Sequence, residues 1–307
     1  ISRIIGKDIE PVTKTITESA TKTDLAQPSL FGDAFGSTEE ETPAIKTSCI
    51  STEEHRYDVI DNVASIARLA QKLATIKEYG VCVLTDGADN IDQRVIGVGL
   101  SAMKSVAAYI PMPSDEEARR ALISSMKPMF VNNLSTLVSA DVKADILALA
   151  NEGVQLSVEY FDVAVAHYLV QPEMSHDVAR LASTMLGYDT IAWESLIKSE
   201  GTSRTKRTIN EIPVEQLCDY ACEQADMAMQ LYPIINSDIE KEGLTRLLND
   251  VELPLVRVLA EMEIAGVRID VTALNEASVA LTTRLQEIEA EVFELAGEEF
   301  NIGSPAK

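Results

Sequence analysis

The chain has 307 residues, of which 46% are hydrophobic and 24% charged, an ordinary globular composition long enough for one large domain or two smaller ones. Its net charge of −23 sets the field of the whole molecule against polyanions at long range. No run approaches the roughly 20 apolar residues of a membrane span, the N-terminus is not a signal peptide, and Cys49, Cys82, Cys218 and Cys222 form no closely spaced framework. Reduced, structural cysteines and a cytoplasmic location are expected.

Residues 1–57 read as a mobile linker rich in Thr, Ser and Glu, without apolar periodicity. Its Leu30-Phe31-Gly32 patch is a short apolar spot of the kind that docks on a protein partner. From Tyr57 the chain becomes periodic. Val59-Ile60 predicts a short strand, and the Ile66–Leu73 run a helix ending before Gly80. Val81–Leu84 reads as a buried strand, and Val95–Met103 with Val106–Ile110 as an antiparallel pair. Ser114 and Glu117 have the spacing of a capping box, which starts a helix near Asp115 that runs towards Met126, with Pro128 just beyond it.

Leu137-Val138 is a brief strand, and Val142–Asn151 a helix with Gly153 as its stop. Helical segments then follow at about 161–170, 176–186, 191–199 and 214–235, the last with Pro213 in its first turn. Strands first and helices later make an α/β layered domain. Leu253–Ile264 is a helix stopped by Gly266, and the final helix, about 273–295, carries an apolar seam through Leu281, Leu285, Ile288, Val292 and Leu295. That spacing asks for a partner helix. One basic cluster, Lys198, Arg204, Lys206 and Arg207, lies in a Gly/Ser/Thr-rich loop and is the candidate phosphate contact.

The segment Glu252–Asp270 and the terminal Ala296–Pro305 run closely resemble the stretch of bacterial DNA polymerase I, a family A polymerase, that links the 3'→5' exonuclease domain to the polymerase thumb. The resemblance covers roughly residues 57–307, and Ile1–Gly6 is similar to the tail of a preceding 5' nuclease domain. It implies a division into 1–57 linker, 58–245 exonuclease-like domain, and 246–307 connecting helix with the first thumb helix. The implied fold class is α/β, an RNase H-like 3'→5' exonuclease domain (a mixed sheet with flanking helices) followed by the helical start of a thumb. The implied partners are DNA, through the whole polymerase, and the remaining polymerase domain of the same protein. No polymerase palm or fingers motif is present.

Such exonucleases hydrolyse phosphodiesters with two Mg²⁺ or Mn²⁺ ions held by converging carboxylates. The family's Asp-x-Glu falls on Leu84-Thr85-Asp86, its Asn-x-x-x-Asp on Asp141–Asp145, and its Tyr-x-x-x-Asp on Tyr220–Gln224. The resemblance therefore implies remnant catalytic positions at Asp86, Asp145 and Tyr220, with metal ligation reduced to Asp86 and Asp145. Leu84 and Gln224 replace expected acids, and neither suits Mg²⁺, which demands oxygen ligands in near-octahedral order. Metal binding is expected to be weak or absent, and the domain to persist as a scaffold. Two rival readings follow from the same residues. One is a working exonuclease that recruits Asp89, Asp92, Asp141, Glu223 or Asp226 as substitute acids. The other is an acidic protein-interaction module. Phe161-Asp162 and His176-Asp177 also resemble family positions, and their bland reading is helix caps.

Overall fold

The computed structural model describes residues 47–87, 93–131, 134–198 and 207–303. The Leu30-Phe31-Gly32 patch, Asp89, Asp92, Arg204 and Lys206 therefore lie outside the described residues. Among the described residues, strand structure is present before Tyr57. Ser48–Cys49 (β1) is a strand, and Arg56–Val59 (β2) leads into helix α1, Val63–Leu73, whose N-cap Asn62 accepts from the Ser65 N–H.

The centre of the fold is a meander of three antiparallel strands, Glu78–Thr85 (β3), Val95–Met103 (β4) and Val106–Pro111 (β5). Helix α2, Glu116–Phe130, follows, then strand Thr136–Ser139 (β6), helix α3, Val142–Asn151, and strand Glu159–Asp162 (β7). The six-stranded sheet has the order β2-β5-β4-β3-β6-β7, with β2, β6 and β7 joined in parallel to their neighbours. Parallel pairing needs crossover connections, and α1, α2 and α3 supply them.

Helix α4, Val163–Val170, comes next, then α5, Val178–Leu181, which passes into a π turn, Ala182–Leu186. Tyr188–Asp189 (β8) pairs in parallel with β1, and α6 spans Trp193–Ile197. The longest helix is α7, Val214–Lys241. Thr245–Leu247 (α8) runs through a second π turn into α9, Leu253–Ala265, and the chain closes with α10, Val271–Ala296.

Five expectations need correction. The N-cap of α2 is Asp115, whose carboxylate accepts from Ala118 N, so the helix starts one residue later than a Ser114 capping box would set it. Glu116 and Glu117 then occupy the first turn, where the helix dipole favours acids. That helix also continues through Pro128 to Phe130, because Met129 and Phe130 are buried in the core. The helix expected from 161 is preceded by β7, and Asp162 caps the helix that follows. Finally, α7 runs on past 235, through Pro233 to Lys241, because Ile235 and Ile239 keep one face of it buried. Pro213 is its N-cap rather than part of its first turn. Gly153 and Gly266 do stop their helices, both with positive φ.

Two apolar layers hold the sheet. One gathers Ile66, Tyr79, Val81, Leu122, Met126, Phe130, Leu137, Ile146 and Leu149 beneath α1, α2 and α3. On the other, α7 crosses β3, β4 and β5 and buries Leu217, Ala221, Met227 and Leu231. This helix lies so close that a Cβ on Gly80 would sit 2.1 Å from the Ala225 carbonyl oxygen, and one on Gly99 2.3 Å from that of Ala221. The seam expected on α10 is present but uncovered, since no residue of that helix is buried. Among the described residues no helix is long and apolar enough to cross a membrane.

Two acids on α7 are also sealed against the sheet. Glu223 is fully buried, accepting from the Tyr188 hydroxyl at 2.9 Å and the Ile191 N–H at 2.6 Å. Asp226 accepts from the Tyr57 hydroxyl and from the N–H of Ser105, a residue with φ of 60° in the β4–β5 turn. Together they tie α7 to β2, to the β4–β5 turn and to the segment around β8.

Two outcomes are expected. Gly99→Ala forces helix against strand and should lower the free energy of unfolding by about 1–3 kcal/mol, read from urea midpoints. Gly303→Ala, where the nearest atom is 3.5 Å from the new Cβ, should leave the midpoint unchanged. The second concerns pH. Burial pushes the Glu223 carboxyl up from 4.5 to about 7. Between those values the unfolded chain has released a proton that the folded chain keeps, so stability is full below the lower value and falls as pH rises through the upper one. Over that window the loss from Glu223 is of the order of 3 kcal/mol, and Glu223→Gln should flatten the slope in denaturation curves taken from about pH 4.5 to 7.5.

Candidate functional site

Tyr220 and Gln224 lie one turn apart on α7 and therefore share a face. Both open onto a cavity of about 470 Å³. Asp141, Asp177, His176, Trp193 and Glu194 complete its polar and aromatic wall. Local sequence explains each position. Asp141 and Asp177 are the N-caps of α3 and α5, accepting from Ala144 and Ala179 N–H groups. Trp193 and Glu194 open α6. The Trp193 ring lies 5.1 Å from that of Tyr220, centroid to centroid, and burial raises the Tyr220 phenol. His176 faces His167 at 2.8 Å between their Nδ1 atoms, and burial lowers the His167 imidazole.

Leu84, Asp86 and Asp145 are not among the residues that line this cavity. Leu84 ends up in an apolar cluster with Cys218, Ala221 and Cys222 of α7, and is buried. Asp86 accepts from the Arg94 N–H at 2.7 Å through Oδ1, which clamps the ends of β3 and β4 together. Asp145 is buried, with the Ser139 hydroxyl donating to it. Burial raises its carboxyl well above the usual range, with Asp141 and Asp162 adding repulsion. Among the described residues, neither Asp86 nor Asp145 is on the wall shared by Tyr220 and Gln224.

Asp162 is a helix cap, as its bland reading has it, bonded to the N–H groups of Val142 and Val165. Burial pushes its carboxyl up to about 6. Asp177 is both a cap and a wall residue. Glu223 and Asp226 turn away from the cavity into the bonds already described. Lys198 is exposed at the end of α6, and Arg207 donates its backbone N–H to Ile197. The sequence reading missed Trp193 and Glu194. Trp193 is the single tryptophan of the chain, which was the only local sign available.

The cysteines are all free thiols, with Cys218 and Cys222 buried at 3.9 Å between sulfurs. Among the described residues no group of three or more His, Cys, Asp or Glu side chains is arranged to hold a metal ion.

A family model described as 3'-5' exonuclease matches residues 57–240. DNA polymerase I of Pseudomonas aeruginosa is 30% identical over 259 residues, covering 81% of this chain and 28% of that protein. DNA polymerase I of Geobacillus stearothermophilus is 33% identical over 166 residues, 54% of this chain and 18% of that one. The chain thus spans under a third of the length of these relatives. Among solved structures, the POL domain of Pol1 from M. smegmatis, in complex with DNA primer-template and dNTP, aligns over 81% of this chain and 39% of its own, with a TM-score of 0.63 and 21% identity. Brucella melitensis NrnC bound to pGG aligns over 72% of this chain and 95% of its own, with a TM-score of 0.52 and 14% identity. The six-stranded mixed sheet with helices on both faces is accordingly an RNase H-like 3'→5' exonuclease fold followed by a helical region, and the chain belongs to the 3'-5' exonuclease family found in DNA polymerase I.

Proposed function

We propose that this domain serves a bacterial DNA polymerase as a folded, DNA-associated scaffold whose two-metal hydrolytic site has been dismantled. The observation that carries the reading is Leu84. At the position where the family places its first acid, an aliphatic side chain is packed among Cys218, Ala221 and Cys222. A carboxylate there would need to leave that apolar contact to reach a metal.

Other residues support it. Gln224 offers a neutral amide where the family has an acid, Asp145 is committed to Ser139, and Asp86 to the Arg94 N–H. Two-metal chemistry needs charged oxygens converging on ions about 4 Å apart, and these residues do not fit that demand for Mg²⁺ or Mn²⁺. Removing acids from a metal-free cluster also relieves mutual repulsion. Within the whole enzyme the module would work in replication and repair in the cytoplasm. It would hold the polymerase domain, which contributes the nucleotidyl transfer, and contact DNA through the loop carrying Lys198, Arg204, Lys206 and Arg207.

A second reading has one observation in its favour. Asp141, Asp177 and Glu194 stand around Tyr220 on a single wall, and an active exonuclease would have to use them in place of the lost acids.

The deciding experiment is digestion of a 5'-labelled single-stranded oligonucleotide in Mg²⁺ and then Mn²⁺. No 3'-shortened ladder is expected from folded protein. A ladder abolished by Asp145→Ala or Asp177→Asn would overturn the scaffold reading. A companion measurement is thermal melting in EDTA. Leu84→Asp combined with Gln224→Asp should melt well below the parent, since burying an unpaired carboxylate costs about 3 kcal/mol or more; equal melting would count against the argument.

A further inference from the structure

A second cavity, of about 800 Å³, opens where β7, the end of α7 and the start of α9 meet. It shares no wall residue with the cavity at Tyr220. Its volume is within the range of small-molecule sites, which are typically about 300–1,000 Å³.

The wall has a particular chemistry. Arg257 is its one cationic side chain and Glu159 its one carboxylate. The Arg257 guanidinium is held in place twice, by an Nη1 bond to the Leu156 carbonyl at 2.8 Å and by stacking 5.6 Å from the Tyr160 ring centroid. Tyr160 is itself fixed, its hydroxyl donating to the Leu253 carbonyl at 2.7 Å. Among the described residues no carboxylate forms an ion pair with Arg257. In a chain of net charge −23, a half-buried, pre-positioned guanidinium without an acidic partner is set to receive an anion.

The remaining surface selects the anion. Tyr232 lies edge-on to Phe161 at 4.7 Å and with Tyr160 gives aromatic surface for a planar ring. Asn249 brings an amide that can read donor and acceptor edges, and Asn236, whose Nδ2 donates to Glu240, adds its carbonyl oxygen as an acceptor. Glu159 can accept from sugar hydroxyls or an exocyclic amine. One cation matches one phosphate, and with Glu159 on the same wall the cavity has no second positive charge for a longer run of phosphates.

We propose that this cavity is a mononucleotide site, with the phosphate on Arg257 and the base against Tyr160 and Tyr232. The assignment is independent of the scaffold reading, because it uses a different wall and needs no metal. A bound nucleotide would bridge α7 to α9 and stiffen the join that leads to α10.

The test is calorimetric titration of the full chain with AMP, and with adenosine and inorganic phosphate as separate arms. AMP should bind with a Kd of about 0.1–1 mM, with both fragments weaker. Arg257→Gln should weaken AMP by about tenfold or more. Asn249→Trp, made at an exposed position at the cavity mouth, should weaken it as well without touching the core. Circular dichroism and melting confirm that each variant is folded. Tyr220→Leu, in the other cavity, should leave AMP affinity unchanged. No AMP binding up to ~5 mM, phosphate binding as tightly as AMP, or loss of binding in Tyr220→Leu but not in Arg257→Gln would each overturn the proposal.

Discussion

The close seating of α7 on β3 and β4 is the constraint on which most of this structure depends. It exists because Gly80 and Gly99 present no Cβ to the backbone carbonyls of Ala225 and Ala221. From that contact follow the positions of everything α7 carries. Tyr220 and Gln224 are delivered to one cavity, Glu223 and Asp226 to bonds that secure neighbouring segments, and Cys218 and Cys222 to the cluster that receives Leu84. A helix held a few tenths of an ångström further out would loosen all of these together, since interiors at crystalline density have little slack.

The acids of the domain divide by the work they do. Asp115, Asp141, Asp162, Asp177 and Asp270 each begin a helix by accepting a backbone N–H. Glu223 and Asp226 join elements distant in sequence. Arg119 and Glu152 form a nearly buried pair that also reaches the Val95 carbonyl. A surplus of negative charge therefore coexists with a well-bonded interior, and much of the acidity on and around α3, α5 and α7 is structural. Residues that a motif would count as ligands can be fully employed as caps.

Local pattern carried much of this fold. The β3–β4–β5 meander was legible because apolar runs of strand length lie close together, and α3 and α9 because apolar spacing and stop signals agree. Very short strands were not. β1 and β8 have two residues each and exist only through long-range pairing, Ser48 with Tyr188 and Cys49 with Asp189. β7 was hidden because Glu159–Asp162 borders a helix without a break. The site was legible where motif spacing on one helix sets it, as for Tyr220 and Gln224. Trp193 and Glu194 were not, since no local spacing brings the start of α6 to the cavity that Tyr220 lines. The Arg257 cavity left no signal at all, because its walls come from four separated segments.

Leu84 gives the fold a direction in sequence space. Its side chain completes an apolar corner with Cys218, Ala221 and Cys222, so a codon change to an acid there would be felt first as lost stability. The corner therefore resists charge of either sign, and exchange at position 84 is confined to apolar side chains of similar volume.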